Sequence, residues 1–276
     1  MPTPRTFSFC TVSIESHVAT VTLSATGKAN RMGPDFWRGM PELFAWLGDE
    51  DEVRAIVLRG EGEHFTFGLD LATMGGEIQP VLAPGAQARE RLDLLEMIER
   101  MQRATSCVAA CKKPVIAAVS GWCIGGGVDL ITACDVRLCS AEAKFSVREI
   151  RLAMVADMGT LARLPAIFGE GAARELALTG DDFDAKRAAR IGLVGEVYET
   201  PAALFDAARA MAGRMAANSP LVLAGVKRVM NAASERRAAE SLHEVALWNA
   251  AFLASADLRE AFTSFLEKRP AKYEGR

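Results

Sequence analysis

The residue types in this chain restrict its chemistry before any fold is assigned. Three histidines (His17, His64, His243) lie far from six cysteines (Cys10, Cys107, Cys111, Cys123, Cys134, Cys139) that include no CxxC pair. A zinc site is therefore not expected, and histidine chemistry has few candidates, so carboxylates must carry acid–base work. The most unusual segment is Gly121-Trp-Cys-Ile-Gly-Gly-Gly-Val-Asp-Leu130, which follows an apolar run and opens a helical pattern. Three consecutive glycines strip the turn of side chains, so a ligand oxygen can approach bare backbone N–H groups at a helix start. Such a turn suits a phosphate or an oxyanion that develops during reaction. A dinucleotide fingerprint fails, because Gly125 and Gly127 need a third glycine where Leu130 stands. A tight helix–strand packing turn is the plainer alternative. His64-Phe-Thr-Phe-Gly-Leu-Asp-Leu71 supplies a second glycine-bearing turn at another strand end. Two such turns can each give one N–H to the same oxygen.

The elements that position these turns follow from hydrophobic periodicity. Phe7, Phe9, Val12 and Ile14, then Val18, Val21 and Leu23, predict two strands separated near Glu15–Ser16. Gly27 to Met32 reads as a polar turn. Phe36, Met40, Leu43, Phe44 and Leu47 recur at helical spacing, with a kink expected at Pro41. Residues 55–59 and 115–120 are apolar runs that read as buried strands. Gly75 to Gln87, rich in Gly and Pro, reads as a mobile surface loop. The amphipathic helix after it places Leu92, Leu95, Ile98, Met101, Thr105 and Val108 on one face and ends before Pro114. Cys134–Cys139 and Lys144–Val147 predict further strands. After Pro165 the pattern is mostly helical, near 171–179, 185–191, 201–217, 220–233 and 239–267. This order implies an α/β core over 1–200 and a helical region over 201–276.

Half of the 276 residues are apolar and 24% are charged, which excludes a disordered or fibrous chain. A net charge of −3 favours neither nucleic acid nor an anionic membrane as partner. The longest uncharged apolar stretch, Pro114 to Val128, is shorter than the ~20 residues of a membrane-spanning helix. The N-terminal MPTPRTFSF lacks the apolar run of a secretory signal. The cysteines read as small buried hydrophobes in a reducing compartment.

The pair FTFGLDL and GWCIGGGVDL resembles the crotonase (enoyl-CoA hydratase/isomerase) superfamily. So do GKANRM, CDVRLCS, IGLVGEVY at 191–198, NSPLVLAGVK at 218–227 and AFLASADLREAFTSFLEKR at 251–269, in the family's order over nearly the whole chain. The resemblance implies a spiral of ββα units. It also implies a C-terminal helical region that covers the active site and builds homo-oligomers, trimers or dimers of trimers. The implied substrate is an acyl-CoA thioester, with coenzyme A arriving as part of it and no metal or redox cofactor. By resemblance the backbone N–H groups of Phe67 and Gly126 form an oxyanion hole, and Phe67, Gly68, Leu69, Asp70, Leu71 and Gly126 contact the substrate. Phe67 stands where the family has a small residue, a bulk expected to narrow the acyl channel.

A polarised thioester has an acidic α-carbon, so the reaction depends on the carboxylates placed above it. Asp129, Glu149 and Asp157 are the candidates. Each also has a plainer reading: Asp129 as a helix-start carboxylate, Glu149 as a surface partner of Arg148 or Arg151, Asp157 as the N-cap of a helix through Thr160–Leu164. By resemblance, hydratases carry glutamates at positions 129 and 149. The Δ3,5-Δ2,4-dienoyl-CoA isomerase branch instead carries the Asp, Glu and Asp seen here, at these spacings, with the stretch ADMGTLARLP at 156–165. The implied reaction moves a proton from C2 to C6, with Glu149 and Asp157 as the acid–base pair and Asp129 orienting or buffering them. Either of the two acids can face C2, and the hydratase analogy favours Glu149 there. Arg151 stands where an acidic residue is common in that branch, and Ala153 replaces a glycine.

The alternatives are an enoyl-CoA hydratase, another isomerase of the superfamily, or a catalytically weak acyl-CoA-binding paralogue. A serine hydrolase is disfavoured, because Ser120 sits in no GxSxG elbow. Neither a transit segment nor an SKL-type terminal address is read, so a cytoplasmic location is expected.

Overall fold

The computed structural model describes residues 5–24, 29–83 and 86–276. Met1–Pro4, Gly27 and Lys28 of the expected polar turn, and Pro84 and Gly85 of the expected loop lie outside the described residues. Strands β1 (Cys10–Glu15) and β2 (Val18–Leu23) pair antiparallel, with Glu15 opposite Val18. Between them Ser16 (φ 49°) and His17 (φ 65°) both take left-handed backbone, the tight turn whose twist matches flanking strands. β3 (Ala55–Gly60), β4 (Val115–Val119), β6 (Val136–Ser140) and β9 (Glu196–Tyr198) extend this hairpin in parallel, in the order β1-β2-β3-β4-β6-β9. A second sheet holds β5 (Trp122–Ile124), β7 (Lys144–Ser146) and β8 (Phe183–Asp184), in that order.

Parallel neighbours need crossovers, and helices supply them: α1 (Pro34–Asp49), α2 (Leu71–Leu82), α3 (Ala88–Ala110) and α4 (Gly126–Thr132). Burial alternates along the main sheet. Ile56, Leu58, Val115, Ala117 and Val119 join the larger core with Phe36 and Met40 of α1 and Ile98 and Met101 of α3. Ala55, Val57, Ile116, Ala118 and Leu138 face the other way, against Leu204, Ala208, Ala212 and Ala216 of α8 (Pro201–Ala216). Both faces are covered, which is why these strands read as unbroken apolar runs. The chain is completed by a 3₁₀ turn (Glu149–Leu152), α5 (Thr160–Phe168), α6 (Glu170–Thr179), α7 (Ala185–Ile191), α9 (Pro220–Phe252) and α10 (Ala256–Glu267). Among the described residues no helix is long and apolar enough to cross a membrane.

Two sequence expectations need correction here. The stretch from Gly75 is not a loop: α2 begins at Leu71, its N-cap Asp70 accepts from the Ala72 N–H at 3.2 Å, and it runs through Pro80. Its buried Met74 and Val81 lie two turns apart on the core-facing side, and that packing outweighs the low helix propensity of Gly75 and Gly76. The expected helices at 220–233 and 239–267 are instead one 33-residue helix, α9, and a shorter α10, with the break at Leu253–Ser255. Between Gly225 and Pro270 the sequence has no Gly or Pro, so the polar Ser234-Glu-Arg-Arg237 run does not interrupt the helix.

Five of the six cysteines are buried, and Cys107 is partly so. Burial pushes the thiols of Cys10, Cys107, Cys134 and Cys139 up to about 12, which makes them unreactive.

Candidate active site

The glycine triplet serves three separate contacts. Gly125 follows β5 with φ 53°, a conformation only glycine adopts freely, and a Cβ there would lie 3.0 Å from Glu149 Oε1. Gly126 is the first residue of α4; a Cβ on it would come within 3.0 Å of Met32 Sδ. Gly127 is a packing glycine, since its Cβ would fall 2.5 Å from Thr66 Cγ2. The N–H of the first helical residue has no acceptor within its own helix, and among the described residues none other takes the Gly126 N–H.

The second turn lies against the first. Thr66 pairs with β5: its N–H donates to the Trp122 carbonyl at 3.0 Å, and Ile124 N–H donates to the Thr66 carbonyl at 3.1 Å. Gly68 then takes φ 73°, and a Cβ there would lie 2.6 Å from the Ile124 carbonyl and 3.0 Å from Gly126 N. The expectation that Phe67 supplies an oxyanion donor is corrected here, because the Phe67 N–H donates to the Ala29 carbonyl at 3.0 Å. Gly68 N–H is also engaged, by Thr66 Oγ1 at 3.0 Å. Met32 N–H donates to the Gly68 carbonyl, and Asp70 N–H donates to the Met32 carbonyl. Leu69, between these two bonds, turns its N–H away from Met32, and no acceptor among the described residues receives it. Leu69 and Gly126 are therefore free donors beside the cavity, among the described residues. Phe67 keeps a place through its ring, which packs edge-on against His64 at 5.0 Å between centroids.

These turns open on a cavity of about 820 Å³. Phe67, Leu69, Asp70, Leu71 and Gly126 line it; Gly68 does not, because it is pressed against the Ile124 carbonyl behind the wall. Met74, Leu94, Met97, Ile98 and Met101 from α2 and α3 and Leu253 after α9 make one side apolar. Arg31, Arg148, Arg151 and Arg269 also line it. Arg148 is paired with Asp182, and Arg151 with Asp181 at 3.0 Å.

Asp129, Glu149 and Asp157 all reach this one cavity. Asp129 is 1% exposed, and its Oδ1 accepts the Thr160 N–H at 2.6 Å. Burial pushes its carboxyl up, while hydrogen bonding at Thr160 and the charge of Arg163 limit the rise. Glu149 opens the 3₁₀ turn and pairs with neither neighbouring arginine, so its surface-partner reading fails. Its Oε2 is sealed from solvent, with no hydrogen-bond partner among the described residues. Desolvation raises the Glu149 carboxyl most, followed by repulsion from Asp129 and then Asp157. Asp157 is not the N-cap of α5, a position held by Gly159. Burial pushes Asp157 up to about 7, against the lowering effect of a hydrogen bond from Asn249.

Sequence reasoning missed Asn249. Its Nδ2 donates to Asp157 Oδ2 at 2.7 Å and to the Val155 carbonyl at 2.9 Å, and the residue is 3% exposed. The available signal was a polar residue on a helix stripe otherwise formed by Leu242, Ala246 and Leu253. Gln102, from α3, donates to the Asp157 carbonyl at 2.8 Å and likewise lies in no sequence motif.

Unpaired main-chain donors next to raised carboxyls in a largely apolar cavity are an arrangement suited to stabilising an oxyanion and moving protons. Comparison with known proteins places the chain in a family. The chain matches the enoyl-CoA hydratase/isomerase family over residues 13–276 and belongs to it. It is 46% identical over 255 residues to the mitochondrial Delta(3,5)-Delta(2,4)-dienoyl-CoA isomerase of Dictyostelium discoideum, covering 91% of this chain and 86% of that one. It is 37% identical over 273 residues to the peroxisomal Delta(3,5)-Delta(2,4)-dienoyl-CoA isomerase of Arabidopsis thaliana, covering 99% and 98%. The crystal structure of an enoyl-CoA hydratase/isomerase from Pseudoalteromonas atlantica superimposes with a TM-score of 0.83 at 23% identity, over 96% of this chain and all of that one, and shows the shared fold. The expected spiral α/β architecture is thus the family's. The cytoplasmic expectation is overturned: these isomerase relatives are named mitochondrial and peroxisomal.

Proposed function

We propose that this chain isomerises 3,5-dienoyl-CoA to 2,4-dienoyl-CoA. The observation that carries the reading is the placement of Glu149 and Asp157, both raised toward neutrality, on one cavity beside the unpaired N–H groups of Leu69 and Gly126. The thioester carbonyl sits on those two donors. The Glu149 carboxylate takes the C2 proton, and the C2–H electron pair moves into the C1–C2 bond as the carbonyl oxygen becomes an enolate. The donors are fixed by the fold before charge develops, so they stabilise it without reorganising. Protonated Asp157 then delivers a proton to C6; the C5–C6 pair forms the new C6–H bond, double bonds shift to C4–C5 and C2–C3, and the carbonyl is restored. C2 and C6 are too far apart for one carboxyl to meet both at ~3 Å, hence two acids. The site resets when the proton on Glu149 passes back to Asp157, which is easiest when both titrate near neutral pH. Asp129 sustains the raised Glu149 through repulsion.

A proton shift is redox-neutral, so the reaction calls for no redox cofactor; main-chain donors take the enolate charge that a metal could otherwise hold, and coenzyme A enters only as part of the substrate. Arg31, exposed on the cavity lining, suits the substrate's phosphates. The helical region from 201 contributes both lining (Asn249, Leu253, Phe265) and apolar residues left exposed on α9: Leu221, Val229, Met230, Trp248 and Phe252. An exposed apolar set of this kind supports a homo-oligomer built from this region, trimer or dimer of trimers. Sedimentation at micromolar concentration should show that oligomer.

An optical assay tests the activity. Isomerisation brings the diene into conjugation with the thioester, so near-ultraviolet absorbance should rise on adding a 3,5-dienoyl-CoA. A flat trace there, with absorbance falling on a 2-enoyl-CoA, would assign a hydratase instead.

A further inference from the structure

Three side chains from two helices hold the backbone that carries Asp157. Asn249 of α9 donates to the Val155 carbonyl at 2.9 Å. Gln102 of α3 donates to the Asp157 carbonyl at 2.8 Å and to the Leu242 carbonyl, also at 2.8 Å. Thr105 of α3 donates to the Met158 carbonyl at 2.6 Å. Asn249 adds a fourth contact, on the carboxyl itself, at 2.7 Å to Oδ2. The orientation of its amide is set by chemistry. The Val155 carbonyl can only accept, so the group facing it must be the NH₂, and the same nitrogen faces Asp157. An amide nitrogen donates and does not accept. Asp157 Oδ2 is therefore an acceptor throughout and has no room for a proton on the side of Asn249.

We propose that Asn249 is a positioning residue that confines the proton carried by Asp157 to Oδ1, the oxygen left for the substrate. The proposal rests on the isomerase reading and deepens it. A carboxylic acid with its proton on either oxygen delivers it productively from only one; a fixed donor on Oδ2 favours the form in which Oδ2 is the carbonyl oxygen, the better acceptor, and Oδ1 carries the proton. The other charged groups facing Asp157 are Asp129 of α4 and Glu149 of the 3₁₀ turn, while α3 and α9 face it with the neutral Gln102 and Asn249.

Two variants test this: Asn249→Ala, which removes the donor, and Asn249→Asp, which keeps the shape but replaces the donor with an acceptor. Loss of one hydrogen bond to a charged group corresponds to about 10–100-fold in kcat, with KM within about twofold. The kcat–pH limb that disappears in Asp157→Asn should move to higher pH in both variants, because a bond that favours the ionised form is gone. A purely structural role would lower the folded fraction and leave the limb where it stands. Near-normal kcat with an unmoved limb in Asn249→Asp would overturn the proposal, even if Asn249→Ala does not fold. Wild-type turnover separates the parent reading: an inactive wild type sinks the isomerase assignment. The ¹³C titration of the Asp157 carboxyl in wild type and variant still reads the hydrogen bond in that case, with a higher midpoint expected in the variant and an equal one overturning the proposal.

Discussion

Asp129 caps a helix it does not belong to: from α4 its Oδ1 accepts the N–H of Thr160, the first residue of α5, at 2.6 Å. One carboxylate thus fixes the segment that follows Asp157 and also repels Glu149 across the cavity. These two roles separate by mutation. In Asp129→Asn the side-chain carbonyl still accepts from Thr160, so unfolding free energy should change by less than about 1 kcal/mol. The repulsion disappears, and the kcat–pH limb that depends on Glu149 should move to lower pH. Asp129→Ala leaves the buried Thr160 N–H without its acceptor and should cost about 1–3 kcal/mol in denaturant unfolding. An unmoved limb in Asp129→Asn would refute the electrostatic role.

The amide variants of the proposed acid–base pair address the chemistry directly. Glu149→Gln and Asp157→Asn should each lower kcat by roughly 10²–10⁴-fold, the usual contribution of a positioned proton donor or acceptor. The double variant should be little worse than the weaker single one, because removing either acid already breaks the shift. Steady-state rates on a 3,5-dienoyl-CoA give the comparison; near-normal turnover by Asp157→Asn would remove the second acid from the mechanism.

The same raised carboxyls give stability a definite pH dependence. Asp157 titrates at about 7 in the folded protein and near the ordinary carboxyl value of roughly 4 when unfolded. Between those values the folded state holds a proton that the unfolded chain releases. The contribution is fully present below about pH 4 and is lost as pH rises through about 7. Asp157→Asn carries no such group, so wild-type stability relative to this variant should fall between about pH 5 and about pH 8. Urea unfolding at both values measures it, and a difference that does not change with pH contradicts the buried, raised carboxyl.

What could be read from the sequence followed the strength of each local signal. Residues 55–59 and 115–120 announced buried strands because both sheet faces are covered, leaving no polar alternation to confuse them. Glycine content misled at Gly75 and Gly76, where Met74 and Val81 pack on the core and hold a helix together. The three acids were found because their types and spacing carry the resemblance. The donor lies two residues beyond Phe67 because backbone hydrogen bonds decide it: Ala29 takes the Phe67 N–H, and among the described residues none takes that of Leu69. Asn249 lies 92 residues from Asp157, and no local pattern links them.

Gly68→Ala tests the donor pair without touching an acid. A Cβ at this position meets the Ile124 carbonyl at 2.6 Å and Gly126 N at 3.0 Å, and φ of 73° is itself unfavourable for alanine. The two turns must move apart, separating the N–H groups of Leu69 and Gly126. Loss of one such donor is expected to lower kcat by roughly 10²–10³-fold, with stability reduced as well. Unchanged kcat in a folded Gly68→Ala protein would place the oxyanion elsewhere.

Ala153 is the reverse case, a side chain where the backbone favours none. It ends the 3₁₀ turn that carries Glu149, with φ 52° and ψ 35°, and its N–H donates to the Ile150 carbonyl at 3.1 Å. Left-handed backbone costs a non-glycine residue roughly 1–2 kcal/mol. Glycine relieves that strain but gains about 0.4–1 kcal/mol of unfolded-state entropy, so the two effects partly oppose. The strain is the larger, and Ala153→Gly should stabilise the fold by about 0.5–1 kcal/mol. The turn keeps its hydrogen bonds, including Met154 N–H to the Glu149 carbonyl at 3.1 Å, so kcat should stay within about twofold. Urea unfolding and steady-state rates measured on the same preparation decide it: lower stability would show that the alanine methyl makes contacts worth more than its strain.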